Sequence, residues 1–411
     1  MNQAFRVAFE APVERATQVA DRARAPSSPA ARLHLSVHRD LAALKDDWVA
    51  FQQHADCTVF QSYEWLATWQ ACIGSLADVR PAIVIARDDR NDVVFIFPLA
   101  VERRGSIREL TWLGAKLNDY NAPLLSSTFS SAFDQSSFDR LWLDVLALLQ
   151  QDPELQFDIV RLEKMPRHVG RQDNPFVRLQ TSLNPSGAYR TQLGDDWETF
   201  YAEKRSSTTR RRDRTKRKKL AEIGDVSFVT ASSADINQTL PALFAQKSAA
   251  FARMGVPDIF ARPGYRDFFE TLAASETTKH IVHVSRLDVG DTPAAINLGL
   301  VFQGTYYHVL ASYGDGEASK FGPGAAHLRD LMSYAIDRDC AIFDFTIGDE
   351  PYKREWSDTE LQLYDHVSYA RLTGLPTVMI DRLASAAKRF VKQTPVLWAM
   401  ATRLRTLVGA R

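Results

Sequence analysis

Cysteine is scarce in this chain of 411 residues: Cys57, Cys72 and Cys340 are far apart, odd in number and outside any metal-binding spacing. That excludes a disulfide-stapled scaffold and points to buried thiols in a reducing, cytoplasmic compartment. No run of 18 apolar residues occurs, so no segment reads as a membrane-spanning helix. Net charge is missing too, at +0 from 50 basic and 50 acidic residues. This argues against a surface given over to nucleic acid while permitting local patches. What remains is an ordinary globular composition, 45% apolar and 24% charged, with length for two or three domains of roughly 100–200 residues.

Residues 1–31 are rich in Ala and Arg and contain no continuous apolar core, so a disordered leader is expected rather than a targeting peptide. Residues 32–180 form a first globular half. A strand is predicted at 33–38, helices at 41–53 and 62–72 with Trp48, Trp65 and Trp69 inward, and a hairpin of strands at 82–87 and 93–101. A helix at 138–149 and a strand at 157–162 follow, then a Pro- and Gly-punctuated linker over 167–187. The second half, 188–372, opens on a strand at 189–193. It continues with helices at 240–254 and 265–274 and strands at 280–287, 294–302 and 306–313.

Two segments stand out by charge. Between Lys204 and Lys219 ten cations, Arg210 and Arg211 among them, face the single anion Asp213. They recur on every side of a helical wheel, so this segment must meet water or an anion: a phosphorylated substrate, an RNA backbone or lipid headgroups. No aromatic is interleaved, which disfavours a base-stacking RNA site and leaves nucleic acid outside the expected partners. The tail 377–411 carries Arg382, Lys388, Arg389, Lys392, Arg403, Arg405 and Arg411 beside an apolar set that includes Phe390, Leu397 and Trp398. It reads either as a basic amphipathic helix on an anionic membrane surface or as a helix packed on the domain.

The remaining motif spans 319–356. Phe321-Gly322-Pro323-Gly324 is a glycine-bracketed turn, followed by apolar residues at helical spacing from Leu328 to Ile336. A short apolar strand at 341–345 then delivers Gly348-Asp349-Glu350-Pro351-Tyr352-Lys353 to a sheet edge. A helix that starts on such a turn offers unpaired N–H groups and a positive dipole end to phosphate, with Lys320 alongside. Carboxylates, a tyrosine and a lysine at the exit of the next strand are candidates for acid, base and oxyanion duties. An ordinary capped αβ unit accounts for the same residues. The pair His280 and His283 has no third ligand nearby, and no metal is expected.

The turn, the helix and the run FDFTIGDEPYKREW resemble the closing half of GNAT-like acyltransferases of the CelD/BcsL type, named for cellulose biosynthesis and related to the FemAB peptidyltransferases. Gly322 stands where that family more often has Ser. The loop Asp119-Tyr120-Asn121-Ala122-Pro123 resembles its D-Y-x-x-P element. The resemblance covers most of 197–370 and, more weakly, 33–179. It implies an α/β (α+β) fold: tandem GNAT-like halves, each a mixed central sheet flanked by helices.

It further implies an acyltransferase, with acetyl-CoA as co-substrate and an amine or carbohydrate hydroxyl of an envelope or exopolysaccharide acceptor. The donor would rest on Lys320, Phe321, Gly322, Gly324 and Ala325, with its arm along a strand through Ala311 and Ser312. Asp349, Glu350, Tyr352 and Lys353 are the expected catalytic set and Asp119 and Tyr120 the implied substrate contacts, to which the cationic segment adds Arg210 and Arg211. A FemAB-like enzyme using aminoacyl-tRNA, and a non-catalytic accessory protein of polysaccharide export, are the competing readings.

Overall fold

The computed structural model describes residues 33–381; the expected leader and the tail from residue 382 onward lie outside the described residues. The first half supplies β1 (His34–His38), β2 (Arg80–Arg87), β3 (Val93–Arg104), β4 (Ile107–Trp112), β5 (Leu124–Leu125), β6 (Ile159–Pro166), the small pair β7 (His168–Val169) and β8 (Gln172–Asp173), and β9 (Thr181–Leu183). The second supplies β10 (Ala188–Gln192), β11 (Val226–Thr230), β12 (Val282–Val289), β13 (Thr292–Phe302), β14 (Thr305–Tyr313), β15 (Ile342–Ile347), β16 (Thr359–Leu361) and β17 (Leu363–Tyr369). Helices are α1 (Lys45–Gln52), α2 (Tyr63–Trp69), α3 (Phe129–Ala132), α4 (Gln135–Gln151), α5 (Trp197–Lys204), α6 (Ser207–Ala221), α7 (Ser233–Met254), α8 (Tyr265–Ala274), α9 (Pro323–Ile336) and α10 (Pro351–Trp356).

They build two mixed sheets flanked by helices, as expected. The first runs β1-β2-β3-β4-β6-β17-β9, with β5 added to β3, and the second β11-β12-β13-β14-β15-β10-β16. Each contains one parallel pair joined by a helical crossover: β4 with β6 through α4, and β14 with β15 through α9. The linker contains a short extended segment, β9 (Thr181–Leu183). The end of the second half differs from expectation: β17 leaves it and pairs with β6 and β9 in the first sheet. The chain therefore crosses between the sheets twice, between β9 and β10 and again between β16 and β17, and the 188–372 segment serves both.

Both faces of the strands are covered, which explains their near-continuous apolar runs. On β3, Phe95, Phe97, Leu99 and Val101 face α4, while Ile96 and Ala100 face the opposite core. That second core is shared between the lobes. It joins Phe60, Trp65 and Trp69 to Phe244, Phe268, Leu298 and Tyr307. Phe60 is fully buried at the joint, with ring centroids 5.3 Å from Trp65, 5.6 Å from Tyr120 and 5.8 Å from Tyr307. Contact is close enough to demand glycine at one point. Gly264 heads α8 at φ 79°, and a Cβ there would lie 2.0 Å from the carbonyl oxygen of Cys72.

Candidate active site between the lobes

In the second sheet, β14 and β15 pair in parallel only from Thr305–Ile342 to Tyr307–Asp344, and then diverge. The remainder of β14, including Ala311 and Ser312, runs beyond the last pair while still hydrogen-bonded to β13 on its other edge. A parallel pair that opens in this way leaves backbone groups of β14 without a β15 partner. Ser312 Oγ donates to Gln246 Oε1 at 2.8 Å, which ties β14 to α7.

At the mouth of the opening stands α9. Gly322 is its N-cap at φ 67°, a left-handed conformation that glycine adopts without cost, and no side chain caps the helix. Pro323 occupies the first turn, so the amides of Gly324 and Ala325 head the helix. Phe321 closes a 3-10 turn (Glu317–Phe321) before it, and Lys320 is exposed there. A Cβ on Gly322 would come within 3.9 Å of Lys216 Nζ, because α6 packs against this turn. The turn and the uncapped helix start thus stand beside Lys216, a cation the motif itself did not contain. The matching crossover helix of the first lobe is closed: Asp134 caps α4 by accepting from Ser137 N at 2.8 Å. The Ser137 side chain and amide hold the Asp134 carboxyl below the usual range, and an anion there would be repelled.

Behind the opening, titratable groups converge from both lobes. Tyr120 Oη donates to Asp344 Oδ1 at 2.6 Å in the buried interface, and Thr346 N donates to the same oxygen at 2.8 Å. Burial pushes the Asp344 carboxyl up to about 6, against the lowering effect of these two bonds. Asp119, half-buried, is hydrogen-bonded by the Thr346 side chain and faces Lys164, Lys353 and Glu350. Burial raises it too, with Lys164 the largest opposing charge. Lys164 donates to the carbonyl of Asn118, and burial lowers the pKa of its ammonium. From α7, Lys247 is likewise lowered by burial, with Glu350 acting in the other direction.

Two of these residues occupy equivalent, strained places. Lys164 in β6 and Thr346 in β15 have φ of 56° and 60°, each opposite a register shift in the neighbouring strand. A left-handed non-glycine residue costs on the order of 1–3 kcal/mol and concentrates at functional sites. Each bulge turns its residue toward Asp119.

The expected catalytic loop divides. Pro351–Trp356 is a short helix rather than a loop. Lys353 points inward, 4% exposed, with Nζ donating to Ile347 O at 2.7 Å and lying 3.1 Å from Glu350 Oε2. Asp349 points outward, 3.8 Å from Arg354, into an open cleft of ≈ 440 Å³ that also involves Asn184 and Glu360. Tyr352 packs edge-on against Phe345, and burial with the nearby Glu350 carboxylate raises its hydroxyl. Lys353 and Glu350 are therefore brought to Asp119 and Tyr120, whereas Asp349 and Tyr352 are not. Arg210 and Arg211 lie on α6, which packs against the turn before α9, and neither is among the charges acting on Asp119 and Tyr120. Sequence reasoning missed Asp344, Thr346, Lys164 and Lys247. A signal existed for Asp344: an acid between Phe343 and Phe345, whose rings share the opposite core.

Of the pair His280 and His283, the first is exposed and the second is packed in the interior. His283 stacks on Tyr334 at 3.9 Å, and its Nδ1 lies 2.8 Å from Tyr306 Oη, which accepts from Asn297 Nδ2 at 2.9 Å. Burial pushes His283 down to about 3, with Arg338 adding to the effect. Its folded value lies below the unfolded 6.5, so its contribution to stability is complete above pH 6.5 and is lost as pH falls toward 3. The stability gap between wild type and His283→Gln is expected to shrink by up to about 1.4 kcal/mol for each pH unit below that point. Urea unfolding of both proteins at two pH values measures it; a gap that does not change with pH would contradict the assignment.

Comparison with known proteins agrees with this geometry. Residues 207–354 match the acetyltransferase (GNAT) domain family Acetyltransf_6. No curated protein sequence matches the chain. Among solved structures, FemX superposes with a TM-score of 0.55 at 9% identity, over 77% of this chain and 95% of its own. A conserved protein of unknown function from Bacteroides thetaiotaomicron gives 0.52 at 12% identity, over 81% and 99%. At these identities the likeness is one of fold. The seat, the opened strand pair and Lys353 all fall within or at the edge of the matched segment. The second lobe is an acetyltransferase-type (GNAT) domain, and the protein that carries it is an acyltransferase.

Proposed function

We propose that the protein moves an acetyl group from acetyl-CoA to an amine or hydroxyl of a carbohydrate acceptor of the envelope or exopolysaccharide class, cellulose included. The observation that carries this reading is the β14/β15 opening, which has the uncapped α9 at its mouth and Lys353 and Asp119 at its base. The diphosphate rests on the Gly324 and Ala325 amides with Lys216 and Lys320 beside it, and the pantetheine arm pairs with β14. The acceptor enters from the first lobe past Asp119 and Tyr120.

Its nitrogen or oxygen attacks the thioester carbonyl. As the new bond forms and the C–S bond breaks, the thiolate leaves and is protonated from solvent. The acceptor's proton passes to Asp119, whose carboxylate burial makes a stronger base than an exposed one. Lys353 steadies the negative charge that develops on the carbonyl oxygen. Asp344 and Tyr120 fix the crevice rather than touch the reacting atoms.

The test is acetyl transfer from acetyl-CoA to amino-sugar and glucan oligosaccharides, read by mass spectrometry. Transfer that disappears in Asp119→Asn supports the reading. Turnover restricted to thioester hydrolysis with every acceptor would contradict it. The tail is proposed to hold the enzyme against the anionic inner face of the membrane. Equal pelleting with anionic vesicles by the full chain and a chain ending at Leu375 would remove that part.

A further inference from the structure

One cation of the crevice takes no part in the reaction as written above. Lys247 stands on α7, whose inward stripe runs through Ile236, Leu240, Leu243 and Phe244 at helical spacing and resumes at Phe251. Lys247 falls in the middle of that stripe, four residues after Leu243 and four before Phe251, where an apolar side chain would continue the pattern. It is half-buried, its ammonium lies 5.3 Å from the Phe251 ring centroid, and it makes no hydrogen bond or ion pair among the described residues. The other two lysines of the crevice are committed, Lys164 to the Asn118 carbonyl and Lys353 to Ile347 O and Glu350. Holding an ammonium half-buried with no acceptor costs folding free energy, and such a group beside a crevice is a candidate for function.

Its surroundings say where it acts. Gln246, one residue before it, accepts from Ser312 Oγ and so fixes α7 over the part of β14 that has no β15 partner. The charges acting on Lys247 are Glu350 and Lys353, just past the end of β15, and Lys247 acts in turn on His308 in β14. It therefore stands over the gap between the two strands. Asp119 also faces Glu350 and Lys353, yet it is not among the charges acting on Lys247. The Lys353–Glu350 pair thus separates Asp119, on the first-lobe side, from Lys247, on the side of α7 and β14. That order follows a displacement at a thioester: the new bond forms beside Asp119, charge develops at Lys353, and the old bond breaks on the side of Lys247. We infer that Lys247 is the acid of the reaction, giving its proton to the donor's sulfur. The inference rests on the donor seat and the acyl transfer proposed above, and supplies a group they leave unassigned. The C–S electron pair goes to sulfur, an Nζ–H bond breaks and an S–H bond forms. The neutral amine regains a proton from solvent, so the proton that solvent supplies reaches the thiolate through this side chain. Burial lowers the pKa of the ammonium toward that of a thiol, which favours such a transfer. An anionic group of the acceptor is the weaker partner for Lys247, because the acceptor enters on the Asp119 side.

The experiment compares acetyl-CoA with its selenium analogue, in which Se replaces the thioester S and the nucleotide is intact, as donors for wild type and Lys247→Met with the same oligosaccharide acceptors. A selenolate is a far weaker base than a thiolate and departs at neutral pH without a proton. With acetyl-CoA the variant is expected to lose about 10²-fold or more of kcat at an unchanged KM for the donor. With the selenoester the two proteins should turn over at matching rates. Methionine continues the apolar stripe between Leu243 and Phe251, so the variant's melting temperature should equal or exceed that of wild type. An equal loss of kcat with both donors overturns the inference and makes Lys247 a binding or positioning residue; full activity of the variant with acetyl-CoA overturns it as well. Absence of transfer by wild type from either donor counts against the proposed acyl transfer itself, and so is distinguishable from failure of Lys247 as the acid.

Discussion

Replacing Lys353 with methionine is expected to lower kcat for acetyl transfer by about 10²–10³-fold, equivalent to about 3–4 kcal/mol of transition-state stabilisation. The size follows from the setting. The ammonium is almost completely enclosed, and Ile347 O and Glu350 fix its position before any donor arrives, so no reorganisation is needed when charge develops. Methionine keeps the length and apolar stem of the side chain. It leaves the Ile347 carbonyl without its donor, a penalty of roughly 1–3 kcal/mol that a melting curve would register separately. Because the phosphate seat is at the far end of the opening, KM for acetyl-CoA should stay near the wild-type value. A raised KM with kcat unchanged would place Lys353 in donor binding instead.

Phe60→Ala should cost about 3–5 kcal/mol, the range for truncating a fully buried phenylalanine. Its ring contacts two first-lobe rings, Trp65 and Tyr120, and the second-lobe ring of Tyr307, so the void opens inside the shared core. The loss is expected to lower the unfolding midpoint of both lobes together, in one transition. It should also loosen the Tyr120–Asp344 hydrogen bond that spans the interface. Two separated transitions, with only the first lobe shifted, would contradict a common core.

Much of the second lobe was legible in the sequence because its signals are local. Pro323 after Gly322 marks a helix start, the Leu328–Ile336 spacing marks the buried face of α9, and the apolar run after it marks β15. Asp119, Tyr120, Glu350 and Lys353 were singled out by motif, but the way the two lobes join them was not legible. β17 is an ordinary alternating strand, and nothing within it states that its partners are β6 and β9, about 200 residues earlier in the chain. Lys164 and Thr346 owe their positions to bulges set by pairing with β17 and β10, which no short window contains. The inward turn of Lys353 and the outward turn of Asp349 depend on where α10 begins; the Glu350-Pro351 pair carries that information as a helix start. Arg210 and Arg211 were recognised as anion contacts by composition alone, which cannot say which side of the molecule a helix packs against.

The central claim is that acetyl-CoA places its diphosphate on the amides that open α9. Calorimetric titration of acetyl-CoA into wild type and Gly324→Tyr tests it most directly. Gly324 has no left-handed backbone requirement, and a Cβ there would first meet the exposed ring of Tyr313 at 3.3 Å, a neighbour free to move. The variant should therefore fold, with its new ring over the Gly324 and Ala325 amides. The predicted result is saturable binding by wild type and none by the variant at an unchanged melting temperature; equal binding by the two proteins would contradict the account.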